Sequence, residues 1–137
     1  MASIRELSEK LWNGEVDTQE IHPVAFRQAV GEEIVDGVLY YKGIASANTI
    51  DTGDGLVMLD TGAINDTRAL HEEVRKWRPE AALRAAVFSH HHVDHIFGVG
   101  PFESDAREKG WARPLVYGHE HLGWNFDRYK RTLGWNT

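Results

Sequence analysis

The run Ala85-Ala86-Val87-Phe88-Ser89-His90-His91-His92-Val93-Asp94-His95 decides how this chain is read. Its first four residues are apolar and of buried-strand length, and the polar cluster starts immediately after them. Side chains two apart on an extended backbone project to the same side, so His90 and His92 can grip one ion together. Asp94 and His95 come where the chain turns and can face a second ion. A mixed imidazole and carboxylate set suits zinc, iron or manganese better than calcium. Two ions about 3.5 to 4 Å apart can share one water and turn it into hydroxide near neutral pH, which makes Asp94 a candidate catalytic group as well as a ligand. His91 alternates out of phase with its neighbours and is expected in the outer shell of the site or facing solvent. A chance histidine-rich surface tract is the competing explanation, and it gives no reason for a position directly behind an apolar strand.

Upstream, Gly53-Asp54-Gly55 is a strong turn signal, and Leu56-Val57-Met58-Leu59 after it is an uninterrupted apolar strand ending at Asp60-Thr61-Gly62. Before the turn, Ile34 to Tyr41 is mostly β-branched or aromatic, and a second extended piece runs from about Ser46 to Thr52. Together these predict a β-meander. Beyond Gly62, Asn65 or Asp66 can cap a helix whose Leu70, Val74 and Trp77 share a face until Pro79. The strand that leads into the histidines follows, so the order becomes β-α-β. Downstream, the pattern predicts a helix over part of Pro101 to Gly110, a strand Leu115-Val116-Tyr117, and a helix from about Glu120 to Lys130. At the other end Ile4, Leu7, Leu11 and Trp12 follow helical spacing with Gly14 as a stop. Residues 1–33 therefore read as an N-terminal helix and extension, and 34–137 as the structural unit that carries the cluster.

The 137 residues suit one compact domain, and 42% hydrophobic content makes it globular. A net charge of -6 offers no basic face to a phosphate backbone, which argues against nucleic acid as a partner. Without cysteine any metal has to be held by histidine and carboxylate, and eight histidines are available. The N-terminus mixes charge with isolated apolar residues, unlike a signal peptide, and no run reaches the roughly 18 apolar residues of a membrane span. A cytoplasmic protein without a membrane partner is the resulting expectation.

The order of meander, Gly55-Leu56-Val57-Met58-Leu59-Asp60-Thr61-Gly62, helix, strand and then residues 89–95 resembles the N-terminal half of metallo-β-lactamase-fold hydrolases over about residues 34 to 120. The opening Leu11-Trp12-Asn13-Gly14-Glu15 and the tail Phe126-Asp127-Arg128-Tyr129-Lys130-Arg131 are also similar to members related to alkyl sulfatases. The resemblance implies an α/β fold that is the first half of an αββα sandwich. It implies two zinc ions, with iron or manganese as other possibilities, the first held by His90 and His92 and the second by Asp94 and His95. Asp60 would support the metal loops by hydrogen bonds rather than bind metal, whereas an ordinary turn aspartate is the plainer alternative. The family site further needs a third histidine for the first metal, a bridging carboxylate and a last histidine. None is identifiable here. A second polypeptide is therefore expected to supply the C-terminal half and those ligands, with a small molecule as substrate.

Gly118-His119-Glu120-His121 also invites reading as ligands or, at His119, as a substrate contact. The family's remaining ligands lie much further along a chain, so a solvated helix start is the default. Trp111, Trp124, Phe126, Tyr129 and Trp135 are expected in packing or at a subunit interface, with a substrate-recognition wall as the sharper reading. The function that emerges is hydrolysis of an ester-type bond, as in a sulfate ester, lactone or carboxylic ester, by a hydroxide bridging two metals. Its rivals are an iron-dependent oxygenase or oxidoreductase on the same fold, and a non-catalytic half-domain that keeps the motif as a structural or regulatory metal clip.

Overall fold

The computed structural model describes residues 3–21 and 28–132. Its centre is a six-stranded sheet in the order β1 (Val30–Val35), β2 (Val38–Lys42), β3 (Ser46–Asp51), β4 (Leu56–Leu59), β5 (Leu83–Val87) and β6 (Leu115–Tyr117). The first four strands pair antiparallel in succession, which is the expected meander, and β4, β5 and β6 then run parallel. Parallel neighbours need a crossover, and the two helices that supply it are α2 (Thr67–Trp77) and α3 (Val99–Lys109). The chain opens with α1 (Ile4–Trp12) and ends in α4 (Leu122–Thr132).

The stretch from Ile34 to Tyr41 is a hairpin rather than one strand. Gly37 takes φ +74° between Val35 and Val38, a conformation that glycine adopts without a Cβ clash, and the turn residues ahead of it are Asp36-Gly37. The Glu33 carboxylate accepts the Gly37 N–H at 2.9 Å, and β1 begins at Val30, earlier than residue patterning indicated. Asp66 is also corrected. It occupies the N-cap position of α2 but makes no capping bond, because its carboxylate turns to the β2–β3 connection, accepting the Ile44 N–H at 2.8 Å and the Tyr41 hydroxyl at 3.4 Å. Pro79 does end α2, and Arg78 before it leaves the helical region as a pre-proline residue should. Trp135 lies outside the described residues.

Helix α2 packs on β1 and β2, and α3 on β5 and α2, so the core lies between this helical layer and one face of the sheet. Leu39, Tyr41, Leu56, Met58, Leu70, Val74, Leu83 and Phe102 form it. Each such side chain contributes about 1.5–3 kcal/mol when fully removed from water. The other sheet face is different. Val35, Val38, Ile50, Val57, Ala85 and Leu115 are cross-strand neighbours in one row, and Val35, Ile50 and Leu115 remain 56%, 39% and 59% exposed. A row of apolar side chains across a whole sheet is the kind of surface that a second layer covers.

Among the described residues no helix is long and apolar enough to cross a membrane. Helix α1 has no buried residue, and Ser3 and Glu6 close a capping box at its start. It is tied to the sheet where the Ile4 N–H donates to the Glu32 carboxylate.

Candidate metal centre

Two chain segments meet at the carboxyl ends of β4 and β5. The first is Asp60-Thr61-Gly62, and the second is the histidine loop 89–95. Asp60 ends β4 with φ +54°, a left-handed conformation that aspartate tolerates better than most residues, and its N–H still donates to the Val87 carbonyl at 2.9 Å. That backbone turn carries the carboxylate out of the strand and under the loop. Asp60 is 9% exposed.

Every oxygen of that carboxylate is engaged. Oδ1 accepts the Ser89 N–H at 2.7 Å, while Oδ2 accepts the Ser89 hydroxyl at 2.7 Å and faces His95 Nδ1 at 2.9 Å. Ser89 Oγ in turn lies 2.8 Å from His90 Nδ1. The loop is also docked by main chain. Thr61 N–H reaches the His95 carbonyl at 2.7 Å, and Phe97 N–H reaches the Gly62 carbonyl at 3.1 Å. Gly98 allows the closest approach, since a Cβ there would come within 2.1 Å of the Thr61 carbonyl oxygen. Neither Ser89 nor Thr61 stood out in the sequence, although the signal was their place beside Asp60 and His90.

The rings of His92 and His95 both lie close to His90. The His90 ring centroid lies 4.6 Å from that of His92 and 4.2 Å from that of His95, and Asp94 Oδ2 lies 3.5 Å from His95 Nε2. Donor atoms of Asp60, His90 and His95 fall within 4.8 Å of one another. Asp60 is the carboxylate of that set, and three of its roughly four lone-pair directions already face the Ser89 N–H, the Ser89 hydroxyl and His95 Nδ1. His92 and Asp94 flank the set without belonging to it. Three imidazoles and the Asp94 carboxylate fit a divalent transition metal by donor chemistry, and His95 turns Nδ1 to Asp60 and Nε2 toward Asp94.

His91 sits at the edge of the cluster: its ring lies 5.0 Å from that of His92, 5.7 Å from that of Tyr129 on α4, and 6.4 Å from that of His90. Lost hydration lowers its pKa from the ordinary histidine value, with the charges of His92, Arg128 and His90 acting in the same direction. His119 and His121 stack on each other at 5.0 Å, both exposed, and the His119 carbonyl accepts the Leu122 N–H at the start of α4. They do not join the donor set among the described residues. Trp111 is packed beneath two cations, Lys109 Nζ at 4.7 Å and the Arg75 guanidinium at 5.5 Å, whereas Trp124 on α4 is 69% exposed.

This fold, with its loop of histidines behind β5, defines a class. Residues 40–134 match the Metallo-beta-lactamase superfamily, and the chain belongs to that family. It is similar to the linear primary-alkylsulfatase of Pseudomonas sp. (strain ATCC 19151), with 34% identity over 74 residues that cover 53% of this chain and 14% of that protein. Among solved structures it is similar to a double mutant of the sec-alkyl sulfatase PisA1, with TM-score 0.52, 24% identity, and coverage of 73% of this chain and 17% of the other. A metallo-β-lactamase from Cronobacter sakazakii matches with TM-score 0.50 and 19% identity, over 74% of this chain and 35% of its own. The chain thus spans a small part of the length of each relative, and the structure is a partial domain of the metallo-β-lactamase fold with a hydrolase-like architecture. A fold of this family implies divalent metal, commonly zinc.

Proposed function

We propose that this chain provides the first-half ligands of a binuclear zinc hydrolase acting on a small ester-type substrate. His90 and His92 would hold one ion, and Asp94 and His95 the other. When bound, the pair of ions supplies Lewis acidity and a hydroxide at neutral pH. The chain's own residues do the rest. Asp60 anchors the loop and orients His95, His91 braces the loop against Tyr129, and the backbone bonds from Thr61 keep the ligand turn in place. The observation that carries the reading is the convergence of the His90, His92 and His95 rings at one strand end, with Asp60 spent on support.

A sulfate ester ranks first among the substrates because a relative 34% identical over 74 residues is an alkylsulfatase, with lactones and carboxylic esters behind it. The third histidine, bridging carboxylate and last histidine of a complete site are proposed to come from polypeptide outside these 137 residues. That polypeptide would also cover the apolar row from Val35 to Leu115. The test is metal analysis and hydrolysis of a primary alkyl sulfate, a lactone and a carboxylic ester by the purified assembly. Two zinc equivalents with turnover of one substrate support the proposal. Iron with oxygen consumption, or metal with no turnover of any ester, would overturn it.

A further inference from the structure

We infer that Ser89 is a positioning residue that transmits the charge of Asp60 to His90 and so fixes which nitrogen of His90 is free for metal. The inference rests on the proposed metal site for its purpose, but its chemistry is contained in four residues of this chain. A carboxylate can only accept, and Asp60 Oδ2 stands 2.7 Å from the Ser89 hydroxyl. The single hydroxyl proton is therefore given to Asp60. Ser89 Oγ is left as an acceptor toward His90 Nδ1 at 2.8 Å, so that nitrogen has to carry a proton. His90 Nε2 then keeps its lone pair.

The same carboxylate faces His95 Nδ1 at 2.9 Å, so that nitrogen carries a proton by the same logic, while Asp94 Oδ2 stands 3.5 Å from Nε2, too far for a good hydrogen bond, and leaves Nε2 open. One buried negative charge thus sets two rings, His95 directly and His90 through one hydroxyl. Without such partners a neutral imidazole divides between two tautomers, and the fraction with the wrong nitrogen protonated has to rearrange before it binds an ion. Ser89 is exposed, yet its N–H is also bound to Oδ1 at 2.7 Å. The backbone bond holds the loop when the hydroxyl is removed, which separates positioning from folding.

The experiment is long-range proton–nitrogen correlation NMR of histidine-labelled, metal-free protein at a pH where the rings are neutral, with a zinc competition titration alongside. Wild type is expected to show His90 and His95 protonated at Nδ1. Ser89→Ala should move His90 toward the Nε2-protonated form, leave His95 unchanged, and lower zinc affinity about 10- to 100-fold. Ser89→Thr, which keeps a hydroxyl, should restore both readouts. Asp60→Asn gives a sharper arm. Its amide oxygen has to remain at the Ser89 N–H, so its NH₂ faces Ser89 Oγ and His95 Nδ1 and reverses both bonds. Both rings should then be protonated at Nε2. A His90 that stays Nδ1-protonated in Ser89→Ala, or one unaffected by Asp60→Asn while His95 flips, would overturn the relay. Because the NMR readout needs no metal or turnover, failure of the hydrolase reading would leave it intact and separately visible.

Discussion

Thr61 and His95 are joined at one carbonyl: the Thr61 N–H donates to the His95 oxygen at 2.7 Å, and the Thr61 hydroxyl donates to it at 3.2 Å. The same hydroxyl oxygen accepts the Gly98 N–H at 3.1 Å, so one fully buried side chain clamps both ends of the 95–98 turn, which leads out of the second pair of proposed ligands. Thr61→Val keeps the shape and removes the clamp. It leaves the Gly98 N–H unpaired in the interior, at a cost of about 1–3 kcal/mol. Denaturant unfolding should show that loss, together with weaker zinc binding in the competition titration. An unchanged midpoint and unchanged affinity would mean that the main-chain bond alone is sufficient.

Gly98→Ala tests the other side of the contact. A methyl group 2.1 Å from the Thr61 carbonyl has no flexible neighbour to displace, so the loop has to move away from the β4 turn. Strain of roughly 1–3 kcal/mol is expected, with the larger fraction of the damage at the metal loop. Thermal unfolding measures the first, and loss of the His95 to Asp60 bond, seen as a changed His95 tautomer, measures the second.

His92→Ala should remove most bound metal and essentially all hydrolysis in the complete assembly, because the first ion loses one of the two ligands this chain offers it. His91→Ala should act far more mildly, since its ring lies 6.4 Å from that of His90, further than the rings of His92 and His95, and also contacts Tyr129. Metal content and rate measured on both variants decide the matter, and equal losses would show that the loop is phased differently when metal is bound.

The strand behind the histidines, the β-α-β order, the β6 strand and the helix of Leu70, Val74 and Trp77 were legible because each combines an apolar period with a turn or proline signal. The hairpin at Asp36-Gly37 was hidden inside a run whose β-branched and aromatic residues continue on both sides of the turn. Asp66 misled for a physical reason: its position satisfies the capping rule, but a buried Tyr41 hydroxyl and an orphan Ile44 N–H compete for its carboxylate and win. At the site, the proposed ligands His90, His92, Asp94 and His95 stand in one line of sequence. The supports Ser89 and Thr61 were not legible, since their roles depend on a turn 29 residues and more away in the chain.

The last prediction concerns acid. Asp105 on α3 accepts Arg75 Nε at 2.6 Å and faces His71 Nε2 at 2.8 Å, both on α2, so it pins the two crossover helices together. Burial raises its pKa, but the hydrogen bonds from His71 and Arg75 and the Arg75 charge outweigh that and leave it below the ordinary aspartate value. A carboxyl lowered in the folded state stabilises the fold fully above its unfolded value of about 3.9, and the contribution disappears as pH falls through the folded value. Asp51, lowered by its hydrogen bond from Arg78 and by the Gly53 N–H, adds to the same acid limb. Asp105→Asn should therefore cost roughly 2 kcal/mol near neutral pH and much less once the pH has fallen through the folded value, flattening the acid slope of the unfolding midpoint. Chemical unfolding from about pH 2 to 7 on both proteins gives the answer. Parallel curves, with the same gap at every pH, would assign the loss to packing around Phe102 rather than to the ionised pair.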